Sequence, residues 1–374
     1  MSEGAGDALG SGPAGERAPH RRSRRGRWPF PPRASGAGGD RGATYAALDL
    51  GTNNCRLLVA RPTADGFRVV DAFSRIIRLG EGVSATGRIN DAASARAVSA
   101  LTVCRDKMRN RGVTRARLIA TEACRAAVNG GEFRARVLEE TGLDLEVIDR
   151  ETEAALAATG CTPLIDPEAE GALLFDIGGG SSELVRLSRP AGSCRNGPPE
   201  PNIAGWTSLA HGVVTLAERH GGINVSRATY DAMVDEISAM LAPFAAAHGE
   251  GCGNGIHMLG TSGTVTTIAG VHLNLPRYDR NRVDGCWMSE DEISVVMDRL
   301  LAMSYRDRVA SPCIGAERAD LVLAGCAILE AIRRAFPCRR LRVADRGLRE
   351  GMLVAMMRAD GVWDGAGLAA SWKG

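Results

Sequence analysis

The strongest constraint on the fold is a segment that occurs twice. LDLGTNNCRLLV (48–59) and FDIGGGSSELVR (175–186) align with Asp49 on Asp176, Gly51 on Gly178 and Leu57 on Leu184, at an offset of 176 − 49 = 127 residues. Each copy is an apolar strand, an Asp-x-Gly turn and a second apolar strand. Two such units one domain apart predict a duplicated α/β unit that faces itself across a cleft. Glycine costs backbone entropy, so the run Gly178, Gly179, Gly180 needs a reason. A tight hairpin is one reason. The other is a phosphate cradle, in which bare backbone N–H groups converge on an oxyanion while flanking carboxylates hold a metal or a water. A further glycine-rich stretch, GTSGT (260–264), is expected to form a third such turn.

Composition narrows the function. A chain of 374 residues has room for two or three domains, and its 44% apolar and 24% charged residues are a normal globular balance. The formal charge of +2 gives no argument for specific nucleic-acid binding. Lysine occurs only at Lys107 and Lys373, and neither follows a glycine loop, so a GxxxxGK[ST] nucleotide site is excluded. The cations are otherwise arginines, which suit bidentate contact with phosphate. The ten cysteines form no CxxC pair and read as free, mostly buried thiols of a cytoplasmic protein. The histidines lack HExxH or HxxxH spacing, which argues against zinc. No apolar run reaches the roughly 18 residues of a membrane span.

Along the chain, residues 1–43 are rich in Gly, Ala, Pro and Arg and read as a disordered basic arm. Residues 44–165 are expected to form the first α/β domain and 166–345 the second, with a boundary in CTPLIDPEAEG (161–171). Residues 346–374 are a terminal helix and tail, expected to pack back on the first domain. Within this plan a helix is expected over 90–112 with a polar cap at Asn90, and another over 151–160 that ends at Gly160. LDLEVID (143–149) reads as a strand, and 188–205 as a loop-like insertion between two strands. Ser289 and Glu292 fit a capping box for a helix over 290–303.

The motifs ALDLGTNNCRLLVA, ATEACRAAVNGGEF (120–133), EVIDRETEAALAATG (146–160), LFDIGGGSSELV, LAHGVVTLAERH (209–220), MLGTSGTVTTIAG and LRVADRGLREGML (341–353) occur in this order. In that combination the chain resembles the exopolyphosphatase / guanosine pentaphosphate phosphohydrolase family, Ppx/GppA, in the short form without a C-terminal HD domain. The resemblance implies a duplicated actin-like ATPase (ribonuclease H-like) fold. It also implies Mg²⁺-dependent removal of a terminal phosphate from polyphosphate or pppGpp. It places the catalytic base on Glu153, further catalytic groups on Asp176, Glu183 and Arg125, and Mg²⁺ at Asp176 and Glu183. Phosphate binding falls to Asp49, Gly51, Thr52, Asn53 and Asn54, to Gly178, Gly179, Gly180, Ser181 and Ser182, and to Gly260, Thr261, Ser262 and Gly263.

The chemistry these residue types offer is compatible. Phosphoanhydride hydrolysis needs an in-line water, a carboxylate to orient it, and positive charge on the equatorial oxygens. The chain departs from the family pattern at Thr152 and Ala155, where a glutamate and an arginine are usual. Two alternatives therefore stand: a kinase of the same superfamily using ATP, and a non-catalytic sensor of pppGpp or polyphosphate. The preference between the two substrates and the oligomeric state, a homodimer included, are left open by the sequence.

Overall fold

The computed structural model describes residues 42–189, 197–249 and 255–364. The basic arm, apart from its last residues, lies outside them, as do Cys194 and Cys252. Two mixed sheets organise the rest. The first contains β1 (Tyr45–Leu50), β2 (Asn54–Thr63), β3 (Gly66–Ile76), β4 (Arg115–Ala120) and β5 (Glu146–Val147) in the order β3-β2-β1-β4-β5. The second contains β6 (Gly171–Ile177), β7 (Ser182–Ser188), β8 (Asn202–Leu209), β9 (Ile256–Thr261), β10 (Trp287–Ser289) and β11 (Arg340–Ala344) in the order β10-β11-β9-β6-β7-β8.

Read from the meander inward, β8-β7-β6-β9-β11 repeats β3-β2-β1-β4-β5, with antiparallel pairing in the first three strands and parallel pairing beyond. The duplicated α/β architecture expected from the repeat is present, down to hydrogen bonds. The Gly51 amide donates to the Asn54 carbonyl at 2.9 Å and the Gly178 amide to the Ser181 carbonyl at 3.0 Å, so the two hairpins close identically. The strands β1 and β6 are central and buried on both faces, which is why YAALDL and GALLFDI read as near-continuous apolar runs rather than as alternation.

Helices cover each sheet. Helix Asp91–Asn110, capped where the Asn90 side chain accepts from the Ala93 amide at 2.8 Å, buries Ala93, Ala97, Leu101 and Cys104 against Leu48, Leu57 and Val59. Helices Arg227–His248, Ser262–His272 and Val322–Ala335 form the outer core of the second half. Two helices lie between the sheets. Arg150–Cys161 buries Ala154, Ala157, Ala158 and Cys161 against Leu174, Val185 and Leu259 of the second sheet. Leu348–Ala359 buries Met352, Leu353 and Met357 against Tyr45, Ala47 and Leu58 of the first.

These two inner helices cross at bare backbone. A Cβ on Gly160 would stand 2.0 Å from the Gly347 carbonyl oxygen, and one on Gly351 1.9 Å from that of Leu156. The helix expected to end at Gly160 therefore runs on to Cys161, and this glycine serves close approach rather than termination.

Three local expectations change. The strand over 143–149 is reduced to Glu146–Val147, and the 188–205 insertion yields to β8 at Asn202. GTSGT forms no glycine turn: β9 runs through Gly260 and Thr261, and the helix starts at once on Ser262, whose φ is +83°.

Candidate active site

A cleft of about 460 Å³ opens between the two hairpins. Its lining includes Asp49, Gly51, Thr52, Asn53 and Asn54 from the first half and Asp176, Gly178, Gly179, Gly180, Ser181 and Glu183 from the second. Glu153 enters from helix Arg150–Cys161, and Thr261 and Ser262 from the end of β9.

The hairpin tips touch. An added Cβ on Gly179 would lie 3.0 Å from Thr52 Cβ and 3.2 Å from the Asn53 amide nitrogen, and one on Gly180 would lie 2.7 Å from Thr52 Oγ1. Side-chain-free backbone is thus required for the two halves to meet at all, in addition to any ligand they share.

Each tip is held from behind by its carbonyls. Gly80 donates to the Thr52 carbonyl at 2.9 Å, and Ile77 and Arg78 donate to that of Asn53 at 2.9 and 3.1 Å. Val213 and Val214, at the start of helix Val213–His220, donate to Gly178 and Gly179 at 2.9 and 2.8 Å. In a trans peptide the next N–H points opposite to the carbonyl. The amides of Asn53, Gly179 and Gly180 therefore face away from these supports. Successive N–H groups such as those of Gly179 and Gly180 are of the kind that suits an anion. The side-chain oxygens of Asn53 and Asn54 are buried there with no protein partner.

Among the described residues, seven acidic ones line this cleft: Asp49, Glu122, Glu153, Asp176, Glu183, Asp345 and Glu350. Burial pushes Asp176 up to about 6, against an ordinary value of 3.8, with Asp49 adding to the shift while Arg56 opposes it. Burial, with the Asp176 charge beside it, pushes Glu183 up to about 7. Asp49 is raised by burial, and Glu153 is raised well above the carboxylate range by burial and then by Glu183. Glu183 accepts from the Ser208 hydroxyl at 2.9 Å.

Arg125 stands behind Glu153 rather than in the cleft lining. It donates to Glu153 Oε2 at 2.8 Å, to Glu122 Oε2 at 2.9 and 3.0 Å, and to the Ile148 carbonyl at 2.7 Å. Its guanidinium is committed to two carboxylates. Arg56, Arg280, Arg318, Arg346 and Arg349 all line the cleft; of these, Arg280 is paired with Glu350 at 2.9 Å and Arg346 with Asp284.

Sequence reasoning had not singled out Arg56, Arg318 or Arg349. The repeat contained a signal for the first: Arg56 occupies the hairpin position of Glu183, since 183 − 56 = 127. Besides Arg125, three expected residues are absent from the lining. The Ser182 hydroxyl donates to the His211 carbonyl at 2.8 Å, and a Cβ on Gly260 would strike the Phe175 ring at 2.6 Å, so Gly260 is bare for core packing. Gly263 lines a smaller neighbouring pocket shared with Arg318 and Asn54. Ser262 keeps its left-handed backbone, uncommon for a residue other than glycine, while its hydroxyl donates to the Ile177 carbonyl at 2.8 Å.

Solved structures share this fold. The crystal structure of an exopolyphosphatase-like protein is 29% identical, with a TM-score of 0.76, and the match covers 85% of this chain and 98% of that one. The Aquifex aeolicus Ppx/GppA family member is 27% identical over the same shares, with a TM-score of 0.68. An exopolyphosphatase from Cytophaga hutchinsonii ATCC 33406, 24% identical over 85% of this chain and 98% of its own, shares the fold at a TM-score of 0.75. The model of the Ppx/GppA phosphatase family matches residues 58–360, most of the chain, and the protein with this two-hairpin cleft belongs to that family of hydrolases.

Proposed function

We propose that this phosphatase hydrolyses the terminal phosphoanhydride bond of inorganic polyphosphate, of pppGpp, or of both, with Glu153 as the base that activates water. The observation that carries the reading is the state of the Glu153 carboxylate. One oxygen is fixed by Arg125 at 2.8 Å, and Glu153 lines the cleft between the two hairpins. A carboxylate held this way presents its second oxygen to a water. Its raised proton affinity, once it is ionised, makes it a stronger base than an exposed glutamate.

The terminal phosphate would lie on the amides of Asn53, Gly179 and Gly180, with Arg56, Arg318 and Arg349 as the cations available to its oxygens. The water oxygen attacks phosphorus as Glu153 takes its proton. The bridging P–O bond breaks, and the shortened chain leaves with that oxygen. Among the described residues, no three acidic, histidine or cysteine side chains stand close enough to ligate an ion by themselves. The acidic oxygens of Asp176 and Glu183 still suit Mg²⁺, which keeps several waters and shares substrate phosphates instead of needing a full protein cage. Bound there through waters, Mg²⁺ would supply positive charge against the phosphate oxygens.

The test is phosphate release from long polyphosphate, short polyphosphate and pppGpp side by side, with and without Mg²⁺, for the wild type and Glu153→Gln. Release that falls by roughly a hundredfold or more in the variant, with substrate still bound, is the expected result. Equal turnover in the two proteins would remove Glu153 from the role.

A further inference from the structure

Glu122 is a buried acid that the mechanism above does not use, and its surroundings are unusual. It is 8% exposed. Its Oε2 accepts both Nε and Nη2 of Arg125, at 3.0 and 2.9 Å, and its Oε1 accepts Nη2 of Arg150 at 2.7 Å. Arg125 in turn donates to Glu153 at 2.8 Å. The four side chains form a line, Arg150–Glu122–Arg125–Glu153, in which opposite charges alternate and sum to zero. Glu122 also lies against the other half of the molecule, because a Cβ on Gly180 would come within 3.1 Å of its Cγ.

The two features act together. Arg125 can hold Glu153 in one orientation only if the guanidinium is itself held, and the Ile148 carbonyl and Glu122 are its remaining partners. Glu122 is held on one side by Arg150 and is bounded on the other by the Gly180 backbone. We propose that Glu122 is a positioning residue: it ties the orientation of the Glu153 carboxylate to the seating of the Gly178–Ser181 hairpin, so that the base is aligned when the two halves are closed on each other. This rests on the reading of Glu153 as the base. Glu122 also borders the cleft, and the role assigned to it here is exerted through Arg125. The charged groups facing Glu122 are Arg125 from its own short helix and Arg150 from the start of helix Arg150–Cys161.

Glutamine is nearly isosteric but offers one acceptor oxygen in place of two, so it cannot satisfy both arginines. Misplacement of a catalytic group by a fraction of an ångström to an ångström costs up to about a hundredfold in rate. Glu122→Gln is therefore expected to lower kcat by roughly tenfold to a hundredfold, with KM for polyphosphate near the wild-type value and the melting temperature lowered, because two arginines lose a buried counter-charge. Arg150 bonds Glu122, one step further from the base along the line of charges, and Arg150→Gln is expected to lower kcat in the same direction. The double variant is expected to be no slower than Glu122→Gln alone, because residues that act as one unit are not additive.

The experiment measures kcat, KM and melting temperature for the wild type, Glu122→Gln, Arg150→Gln, the double variant and Glu153→Gln on one polyphosphate. An inactive Glu153→Gln beside a Glu122→Gln enzyme with wild-type kcat overturns the positioning role alone. Wild-type turnover in Glu153→Gln overturns the base assignment and this inference with it. Independent, multiplying losses in the double variant, or a rise in KM with unchanged kcat, also overturn it. If Glu122→Gln does not fold, Arg150→Gln still decides, since an unchanged kcat there is incompatible with the line of charges.

Discussion

Asp176 stands directly across from Glu183 in the β6/β7 hairpin, in the position where Asp49 faces Arg56 in β1/β2. The two halves keep the same backbone and differ by one charge sign. An acid–base pair in the first half is electrostatically balanced, whereas a pair of buried acids in the second is not, and its members are raised to about 6 and about 7. The duplicated scaffold thus gives the cleft a different charge at the two equivalent hairpin positions. If Mg²⁺ is held on the second side, Glu183→Gln should raise the Mg²⁺ concentration needed for half-maximal phosphate release by roughly tenfold to a hundredfold. Titration of activity against Mg²⁺ reads this directly, and an unchanged Mg²⁺ response would detach Glu183 from the ion.

Gly179 provides a steric test of the contact between the halves. A β-branched side chain there would push on Thr52 Cβ at 3.0 Å and on the Asn53 backbone at 3.2 Å, and backbone cannot swing aside as a flexible side chain can. Gly179→Val is expected to lose about 1–3 kcal/mol of stability from overpacking and to bind substrate more weakly. Denaturant unfolding together with KM measures both. Unchanged values for each would mean that the tips need not meet.

Much of this was legible in the chain, and the exceptions share a cause. The hairpins were visible because a strand–turn–strand pattern repeats locally, and the Ser289–Glu292 capping box because its partners lie three residues apart, at 3.3 and 2.7 Å. Gly260 was misread because its reason is the Phe175 ring, 85 positions away. Gly160 looked like a helix terminator because the Gly347 backbone it meets lies far along the chain. Arg125 sits in a motif that marks it as functional, but only tertiary structure shows that Glu122 and Glu153 already occupy it. Local patterns report backbone conformation; the identity of a distant neighbour is not written beside the residue that needs it.

Stability should depend on pH with an unusual sign. Asp49, Glu153, Asp176 and Glu183 all have folded-state values above those of the unfolded chain, chiefly through burial. Between about pH 4 and 7 the native protein therefore holds more protons than the unfolded one, and these groups make stability fall as pH rises through that window. Asp71 works in the opposite sense: burial alone would raise it, but hydrogen bonds from Lys107 and Arg111 bring it down to about 2, so its contribution is lost only under acid conditions, below about pH 4. In chelator, the cluster's contribution lowers the melting temperature at pH 7.5 relative to pH 5.5, and Asp176→Asn should flatten that slope. Added Mg²⁺ should stabilise more at pH 7.5, where the acids are ionised. Identical slopes for wild type and Asp176→Asn would show that the cluster does not control the profile.

A latch on the domain surfaces offers a separate handle on closure. Arg78, in a left-handed backbone at φ +47°, makes a two-pronged ion pair with Asp320 at 2.9 and 3.1 Å, while its amide supports the Asn53 carbonyl at 3.1 Å. Nearby, Glu218 of the second half accepts from the Gly82 amide at 2.9 Å and from the Ser84 hydroxyl of the first. The same short segment thus braces one hairpin and grips the opposite half. The Arg78 and Asp320 side chains are 34% and 23% exposed, so breaking the pair should cost no more than about 1 kcal/mol of global stability. If substrate sits on both tips, as proposed above, its effect should appear in any equilibrium between open and closed halves. Asp320→Asn is expected to leave the melting temperature within a few degrees of wild type and to raise KM severalfold with little change in kcat, the more so at low salt, where the native pair is least screened. A variant with wild-type KM at low and high salt would show that closure does not depend on this pair.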